Sequence, residues 1–220
     1  MKNLKNLLLL FVSIVAVSMA FTSCNSDSTD YSVDLPTQKQ LQSTMSGGYT
    51  GKAAFLLANT AANKYDTIAV ENMLWNVRTD STFIVRDFPV NRLDSAINVP
   101  SGQISNEATQ LRALRDEISN LGSQDLTCFY WVPGTNWMSS SIYQFIVNPV
   151  YFSKKITYNG ETHDVYFVFQ MNTYIGQFSI SERKFQFSMV LASICIDKTP
   201  VDYTPSFPST YFRPIYISVK

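Results

Sequence analysis

Histidine is nearly absent from this sequence: His163 is the only one among 220 residues. A Ser-His-Asp site needs a buried and oriented imidazole, and a zinc site needs three or four converging ligands. His163 follows the Asn159-Gly160 turn, where solvent exposure is expected. The sequence also lacks a Walker phosphate loop, a dinucleotide-binding glycine pattern and a nucleophile-elbow motif. It therefore carries no enzyme signature, and it predicts neither a cofactor nor a metal site.

Charge is sparse and balanced. Charged residues make up 15% of the chain, with 17 basic and 17 acidic side chains. A nucleic-acid surface and a polybasic membrane patch both need clustered positive charge, so the composition argues against both. A glycosidase needs two carboxylates that face each other across a cleft. Acidic residues such as Glu161, Asp164 and Glu182 fall at predicted turns, and nothing marks two of them as such a pair.

The N-terminal apolar run is too short to cross a membrane. Leu7–Phe21 falls below the roughly 20 residues that a bilayer core requires. Lys2 and Lys5 precede this run, and the small residues Thr22 and Ser23 follow it. A charged start, a short apolar stretch and small residues before a cut are typical of an export signal.

Cys24 directly follows those small residues. The arrangement resembles the lipobox of bacterial lipoproteins, with Phe21 at the position where Leu is usual. The resemblance implies that residues 1–23 are a signal peptide and that Cys24 carries diacylglycerol and an acyl group such as palmitate. Two or more acyl chains anchor a protein stably, so it implies attachment to the outer membrane, facing the periplasm or the exterior. Residues 24–42 are polar and predict a flexible tether before a single domain over residues 43–220.

The mature chain is rich in residues that favour strands, including 15 Phe and 12 Tyr. Alternating apolar residues predict about nine or ten strands joined by short turns. Asn159-Gly160 predicts a type I′ hairpin turn. Helical spacing predicts a short helix that Asp87 caps and a longer one over residues 106–121. The predicted fold is mainly β (α+β): an antiparallel β-sandwich or incomplete barrel with two helices inserted after the third strand.

One segment supports a family comparison. The run WNVRTDSTFIVRDFPVNRLDSAI, residues 75–97, follows a Tyr-Thr-Gly strand. It resembles a family of envelope lipoproteins of unknown function from Gram-negative gut anaerobes. These share a Trp-containing strand, an Asp-Ser-Thr turn and a Phe-Pro-Val helix entry. The resemblance implies no activity and no site residues.

The aromatic stretch CFYWVPGTNW, residues 128–137, is the candidate ligand-binding site. Exposed indole and phenol rings are flat apolar surfaces with a polar tip, suited to stacking on sugars or docking a partner protein. The candidate residues are Tyr130, Trp131, Trp137 and Tyr143. The alternative is that these rings fill the end of the core.

Two cysteines remain after Cys24. Cys128 and Cys195 have apolar neighbours in predicted strands, which favours buried thiols, and export permits a disulfide between them as the alternative. Taken together, the sequence favours a lipid-anchored, non-enzymatic binding or accessory domain for a glycan or an envelope protein. A secreted hydrolase with a carboxylate pair and a subunit of a surface assembly are the alternative functions.

Overall fold

A computed structural model describes residues 35–59, 64–198 and 206–220. The predicted signal peptide, Cys24 and the first part of the predicted tether lie outside these residues. The elements in chain order are α1 (Leu35–Met45), β1 (Gly47–Asn59), β2 (Lys64–Val77), β3 (Thr82–Phe88), a 3-10 helix (Val90–Ala96), α2 (Asn106–Ser119), β4 (Gln124–Trp131), a 3-10 helix (Thr135–Trp137), β5 (Ile142–Pro149), β6 (Phe152–Tyr158), β7 (Glu161–Phe169), β8 (Tyr174–Ser179), β9 (Lys184–Ile196), a 3-10 helix (Ser209–Tyr211) and β10 (Ile215–Val219).

Eight of these strands form a closed antiparallel barrel. Their order around it is β10-β1-β2-β3-β4-β5-β8-β9, and β9 completes the circle by pairing with β10. In that closing pair, Ile217 lies opposite Met189 and Ile215 lies opposite Leu191. The prediction of a mainly β, antiparallel fold is thus confirmed. The barrel is closed, however, and is neither a sandwich nor incomplete, because β10 fills the gap between β1 and β9.

The other two strands, β6 and β7, extend the sheet beyond the barrel. β8 pairs with the first residues of β9, and β7 pairs with its last ones. The β6–β7 turn has Asn159 at φ 51° and Gly160 at φ 85°, between the paired residues Tyr158 and Glu161. A type I′ turn requires positive φ at both central residues, so the predicted turn is confirmed.

We expect Gly160→Val to lower the free energy of unfolding by about 1 kcal/mol or more, because a β-branched residue is strained at positive φ. Gly160 has no heavy atom within contact distance of an added Cβ, so the loss would report backbone strain alone. Gly122→Val is the matched control, because Gly122 is equally open and does not lie at positive φ. Urea unfolding measures both variants, and equal midpoints for Gly160→Val and wild type would contradict the turn geometry.

Two helices lie between β3 and β4, as the sequence predicts. The Ser105 side chain caps α2 by accepting a hydrogen bond of 3.1 Å from the Ala108 amide. The buried face of α2 packs on the core and against β6. The first helix is a 3-10 helix that begins after Pro89 without a side-chain cap. The predicted Asp87 cap is therefore wrong, because Asp87 belongs to β3 and lies at φ 48°.

Helix α1 includes residues 35–42, which the sequence analysis assigned to the tether. Leu41 and Met45 are buried in the core, and Gln38 Nε2 donates a 3.1 Å hydrogen bond to the Val132 carbonyl. Two apolar side chains one turn apart are enough to hold this otherwise polar segment against the domain. Among the described residues, no helix is long and apolar enough to cross a membrane.

Aromatic side chains fill the barrel interior. The ring centroid of Phe185 lies 4.5 Å from that of Phe145 and 5.4 Å from that of Phe83, and all three residues are fully buried. Gly176 makes room for this packing, because a Cβ there would lie 2.1 Å from the Phe145 ring. An eight-stranded barrel is just wide enough for side chains to fill it or for one small ligand to occupy it. Here the rings occupy that space, so the outer wall is the better candidate for a binding surface.

Candidate functional site

Strand β4 presents two large rings to solvent on the outer wall of the barrel. Its residues alternate in burial, so that Cys128 and Tyr130 face the interior while Phe129 and Trp131 face outward. Phe129 is 50% exposed and Trp131 is 44% exposed. Side chains two residues apart on a strand lie on the same face, so the two rings are neighbours.

Isoleucines on the next two strands extend this surface. Trp131 pairs across the sheet with Ile146 of β5, and Ile146 pairs with Ile175 of β8. Directly opposite side chains in an antiparallel sheet have Cβ atoms about 5 Å apart, so the row is continuous. We call the set of Phe129, Trp131, Ile146 and Ile175 the aromatic surface.

Amide groups border the aromatic surface. Gln144 and Gln177 are paired on β5 and β8, each two residues from one of the isoleucines, and both are partly exposed. The ion pair of Arg78 with Asp80 lies beside Phe129, because Asp80 accepts a hydrogen bond from Thr82, the residue opposite Phe129 on β3. The aromatic surface is thus apolar at its centre, with amide groups on the β5 and β8 side and one exposed ion pair on the β3 side.

The other sequence candidates lie elsewhere. Tyr130 is an interior residue whose hydroxyl donates a 3.0 Å hydrogen bond to the Arg78 carbonyl. Burial raises its pKa, and the nearby charge of Asp80 adds to the effect. Trp137 and Tyr143 are partly buried and pack against the core. These three rings fit the alternative that they belong to the core.

Phe129 is the exposed ring of the aromatic surface that the sequence analysis did not name as a candidate. It lies two residues before Trp131, so the alternation of a strand would have placed the two rings together once Trp131 was known to face outward. The polar residues Asp125 and Thr127 on the same face also indicated that this face points outward.

The two cysteines of the domain are both buried, and no disulfide joins them. Cys128 faces the barrel interior, where burial raises the pKa of its thiol. Cys195 lies on β9, with its Sγ 3.4 Å from the Ser193 Oγ. Both thiols are therefore buried, as the sequence favoured, and the disulfide alternative is not observed.

His163 lies in a cluster of polar side chains near the β6–β7 turn. Its Nδ1 lies 2.7 Å from Asp197 Oδ2, its Nε2 lies 3.9 Å from Glu161 Oε2, and its ring packs at 4.5 Å on Tyr158. The side chain is only 19% exposed, which is less than the sequence analysis expected. Asp197 Oδ1 also accepts a 2.9 Å hydrogen bond from the Asp164 amide. The cluster thus fastens the end of β9 to β7.

We expect Asp197→Asn to destabilise the protein at neutral pH and to have progressively less effect in acid. The hydrogen bond from His163, followed by that from the Asp164 amide, lowers the Asp197 pKa below its ordinary value of 3.8. A lowered pKa stabilises the fold above the unfolded-state value, and this contribution disappears as the pH falls through the folded-state pKa. Urea midpoints of wild type and Asp197→Asn across this range provide the measurement. A difference that persists unchanged at the acid end would contradict this role of the carboxylate.

The described residues offer few other candidate sites for a metal ion or a ligand. They contain no group of three or more His, Cys, Asp or Glu side chains that could bind a metal ion. A shallow cleft of about 270 Å³ lies on the outer face of β9 and β10, lined by Val190, Ala192 and Tyr216 among others. Ligand pockets usually measure roughly 300–1,000 Å³, so this cleft is smaller than most. The exposed rings of the aromatic surface are the stronger candidate.

Comparisons with known proteins identify a family whose function is unknown. The family described as "Domain of unknown function (DUF4840)" matches residues 44–196, from the end of α1 to the end of β9. The matched range is more than half of the chain, and it excludes β10, the strand that closes the barrel. No curated protein and no solved structure matches the chain. The protein belongs to the DUF4840 family of uncharacterised domains.

Proposed function

We propose that this protein is a lipid-anchored cell-envelope protein whose barrel binds a glycan on its outer wall. The observation that carries the binding proposal is the exposure of Phe129 and Trp131 beside each other, while the interior of the same barrel is filled with rings. The envelope location rests on the N-terminal sequence. Its charged start, short apolar run and Cys24 match a lipoprotein signal.

The chemistry of the aromatic surface favours a neutral saccharide. An indole or phenyl face stacks on the C–H face of a sugar ring, and amides hydrogen-bond its hydroxyl groups. Phe129 and Trp131 supply the rings, and Gln144 and Gln177 supply the amides on the adjoining strands. Neutral amides next to the rings suit hydroxyl groups better than they suit a charged ligand.

The contacts of three aspartate side chains fit a non-enzymatic role. Ion pairs join Asp125 to Arg86 and Asp164 to Lys155, and Asp197 accepts a hydrogen bond from His163, so these carboxylates already have partners at the surface. A glycosidase would instead need two carboxyl groups facing a shared cleft. Binding without hydrolysis is therefore the proposed role.

Mass spectrometry of the mature protein tests the anchor. We expect an N-terminal Cys24 that carries diacylglycerol and an amide-linked acyl chain, because the residues before it resemble a lipobox. Cys24→Ala should remove the modification and release the protein from the membrane fraction. Cys128→Ala is the control, because this thiol lies inside the barrel and should not affect anchoring. An unmodified Cys24, or a membrane-bound Cys24→Ala protein, would contradict the anchor.

Binding is tested by titrating the purified mature protein with soluble oligosaccharides of glucose, galactose and mannose. We expect saturable binding to at least one of them, and loss of that binding in Trp131→Ala at unchanged fold. An anchored protein that binds none of the oligosaccharides would overturn the glycan role while leaving the envelope location intact.

A further inference from the structure

The shallow cleft on the outer wall lies where β9 and β10 pair. Its volume is about 270 Å³, and it is lined by Gln170, Val190, Ala192, Pro214 and Tyr216. The residues of the aromatic surface belong to β4, β5 and β8, and none of them lines this cleft. The cleft is therefore a separate place at which a ligand could bind.

Val190 forms the floor of the cleft. Its neighbours Met189 and Leu191 belong to the core, so alternation turns the Val190 side chain outward, yet Val190 is only 3% exposed. Tyr216 lies opposite Val190 on β10, and the Gln170 amide donates a 2.9 Å hydrogen bond to the Val190 carbonyl. An outward-facing apolar residue that is nevertheless buried shows that the wall is concave here.

A β-bulge brings a small side chain to the cleft. Along β7 and β9, Val168 pairs with Ser193 and Phe169 pairs with Leu191, so Ala192 is the extra residue between them. A bulge bends its strand and redirects a side chain, and bulges are common beside functional sites. The methyl group of Ala192 leaves open the space that a larger side chain would fill.

Three tyrosines cluster beside the cleft. The ring centroids of Tyr65 and Tyr216 lie 6.1 Å apart in an edge-to-face arrangement. Burial raises the pKa of Tyr174 to about 12, and the hydroxyl groups of Tyr216 and Tyr65 are close enough to add to this rise. The Tyr174 hydroxyl therefore keeps its proton at neutral pH and can donate a hydrogen bond.

We propose that this cleft binds a small neutral aromatic molecule with one polar group, such as a phenol or an indole. Val190, Ala192 and Pro214 supply apolar contacts, and the Tyr216 ring supplies a partner for aromatic packing. None of the five lining residues is charged, so a charged ligand would lose its hydration without gaining an ion pair from them.

The lining favours an aromatic ring over a sugar ring. Each sugar hydroxyl that is buried without a partner costs free energy, and only Gln170 and Tyr216 among the lining residues have polar side chains. A phenol or an indole has a single polar group, which one amide or one tyrosine hydroxyl can satisfy. The volume of about 270 Å³ lies just below the usual range for drug-sized ligands, which suits a small ring.

Nitrogen-15 spectra of the purified mature protein provide the test, with phenol and indole as the probes. We expect the backbone amide signals of Val190, Ala192 and Tyr216 to shift in a saturable way with at least one probe. The dissociation constant should be about 0.1–1 mM, because so small a ligand makes few contacts. The signals of Phe129 and Trp131 should stay in place.

Two variants locate the binding. Ala192→Leu fills the cleft and Tyr216→Ala removes part of its wall, so each should weaken binding at least about 10-fold. Tyr166→Ala is the matched control for Tyr216→Ala. Both tyrosines are partly buried, and each packs on an exposed tyrosine, since the Tyr166 ring lies 6.2 Å from that of Tyr151. The control should bind the probe as wild type does.

Three results would overturn the proposal: no saturable shift with either probe, binding that Ala192→Leu and Tyr216→Ala both retain, or shifts at Phe129 and Trp131 instead of the cleft. The probes contain no sugar, so the result is independent of the glycan proposal. Failure of the probes to bind would leave the glycan role in place. Failure of the oligosaccharides to bind would leave the aromatic ligand in place.

Discussion

Phe185→Ala is expected to lower the free energy of unfolding by about 3–5 kcal/mol, the usual cost of removing a buried phenylalanine ring. Phe185 lies at the centre of the barrel interior, in contact with the rings of Phe83, Tyr130 and Phe145. Truncation would remove its own transfer free energy and leave a cavity that a closed barrel cannot readily collapse into. Urea unfolding monitored by circular dichroism measures the loss.

Phe129→Ala is the matched control for this prediction, because it removes the same ring from the outer wall. Phe129 is half exposed, so we expect a loss of about 1 kcal/mol or less. Equal losses for the two phenylalanines would contradict the assignment of Phe185 to the interior and of Phe129 to the surface.

Trp131→Ala is expected to weaken glycan binding by about 5–30-fold, which corresponds to the roughly 1–2 kcal/mol of a hot-spot ring. The melting temperature should change little, because the indole is 44% exposed and lies outside the packed interior. Phe129→Ala should weaken binding to a similar extent. Titration calorimetry gives the dissociation constants, and scanning calorimetry gives the melting temperatures of the same samples.

Two controls delimit the surface. Leu74 is also about half exposed on the barrel wall, at 49%, but it lies on β2 and outside the aromatic surface. Leu74→Ala should therefore leave binding unchanged. Trp137→Ala should lower stability, because Trp137 packs against the core. Binding that survives Trp131→Ala and Phe129→Ala would contradict the proposed site.

Local sequence signals predicted the local parts of the fold. Asn159-Gly160 specifies its turn through backbone sterics, and α2 follows from a stripe of apolar residues at helical spacing. Closure of the barrel depends on the pairing of β10 with β9, which no local pattern encodes. The five residues Ile215–Val219 read equally well as an edge strand of an open sheet. Helix α1 was missed for a related reason, since its two buried side chains stabilise it only through contacts made distant in sequence.

The candidate site was harder to predict because the last four residues of β4 are apolar on both faces. Alternation identifies the inner face only when the other face is polar. Cys128 and Tyr130 alternate with Phe129 and Trp131, so these four residues alone do not show which pair faces inward. The direction comes from Asp125 and Thr127, which share a face with Phe129. The space inside the barrel decides, and it accommodates the Tyr130 ring while its hydroxyl reaches the Arg78 carbonyl.

The indole N–H resonances provide the most direct test of binding at the outer wall. The chain contains three tryptophans, which report on different places: Trp75 is buried in the barrel, Trp137 packs at its end, and Trp131 lies on the aromatic surface. Nitrogen-15 spectra are recorded as a bound oligosaccharide is titrated in, with each signal assigned from a Trp→Phe variant. We expect the Trp131 signal to shift in a saturable way while the Trp75 signal stays in place. A shift of Trp75 without a shift of Trp131 would place the ligand inside the barrel and contradict the account.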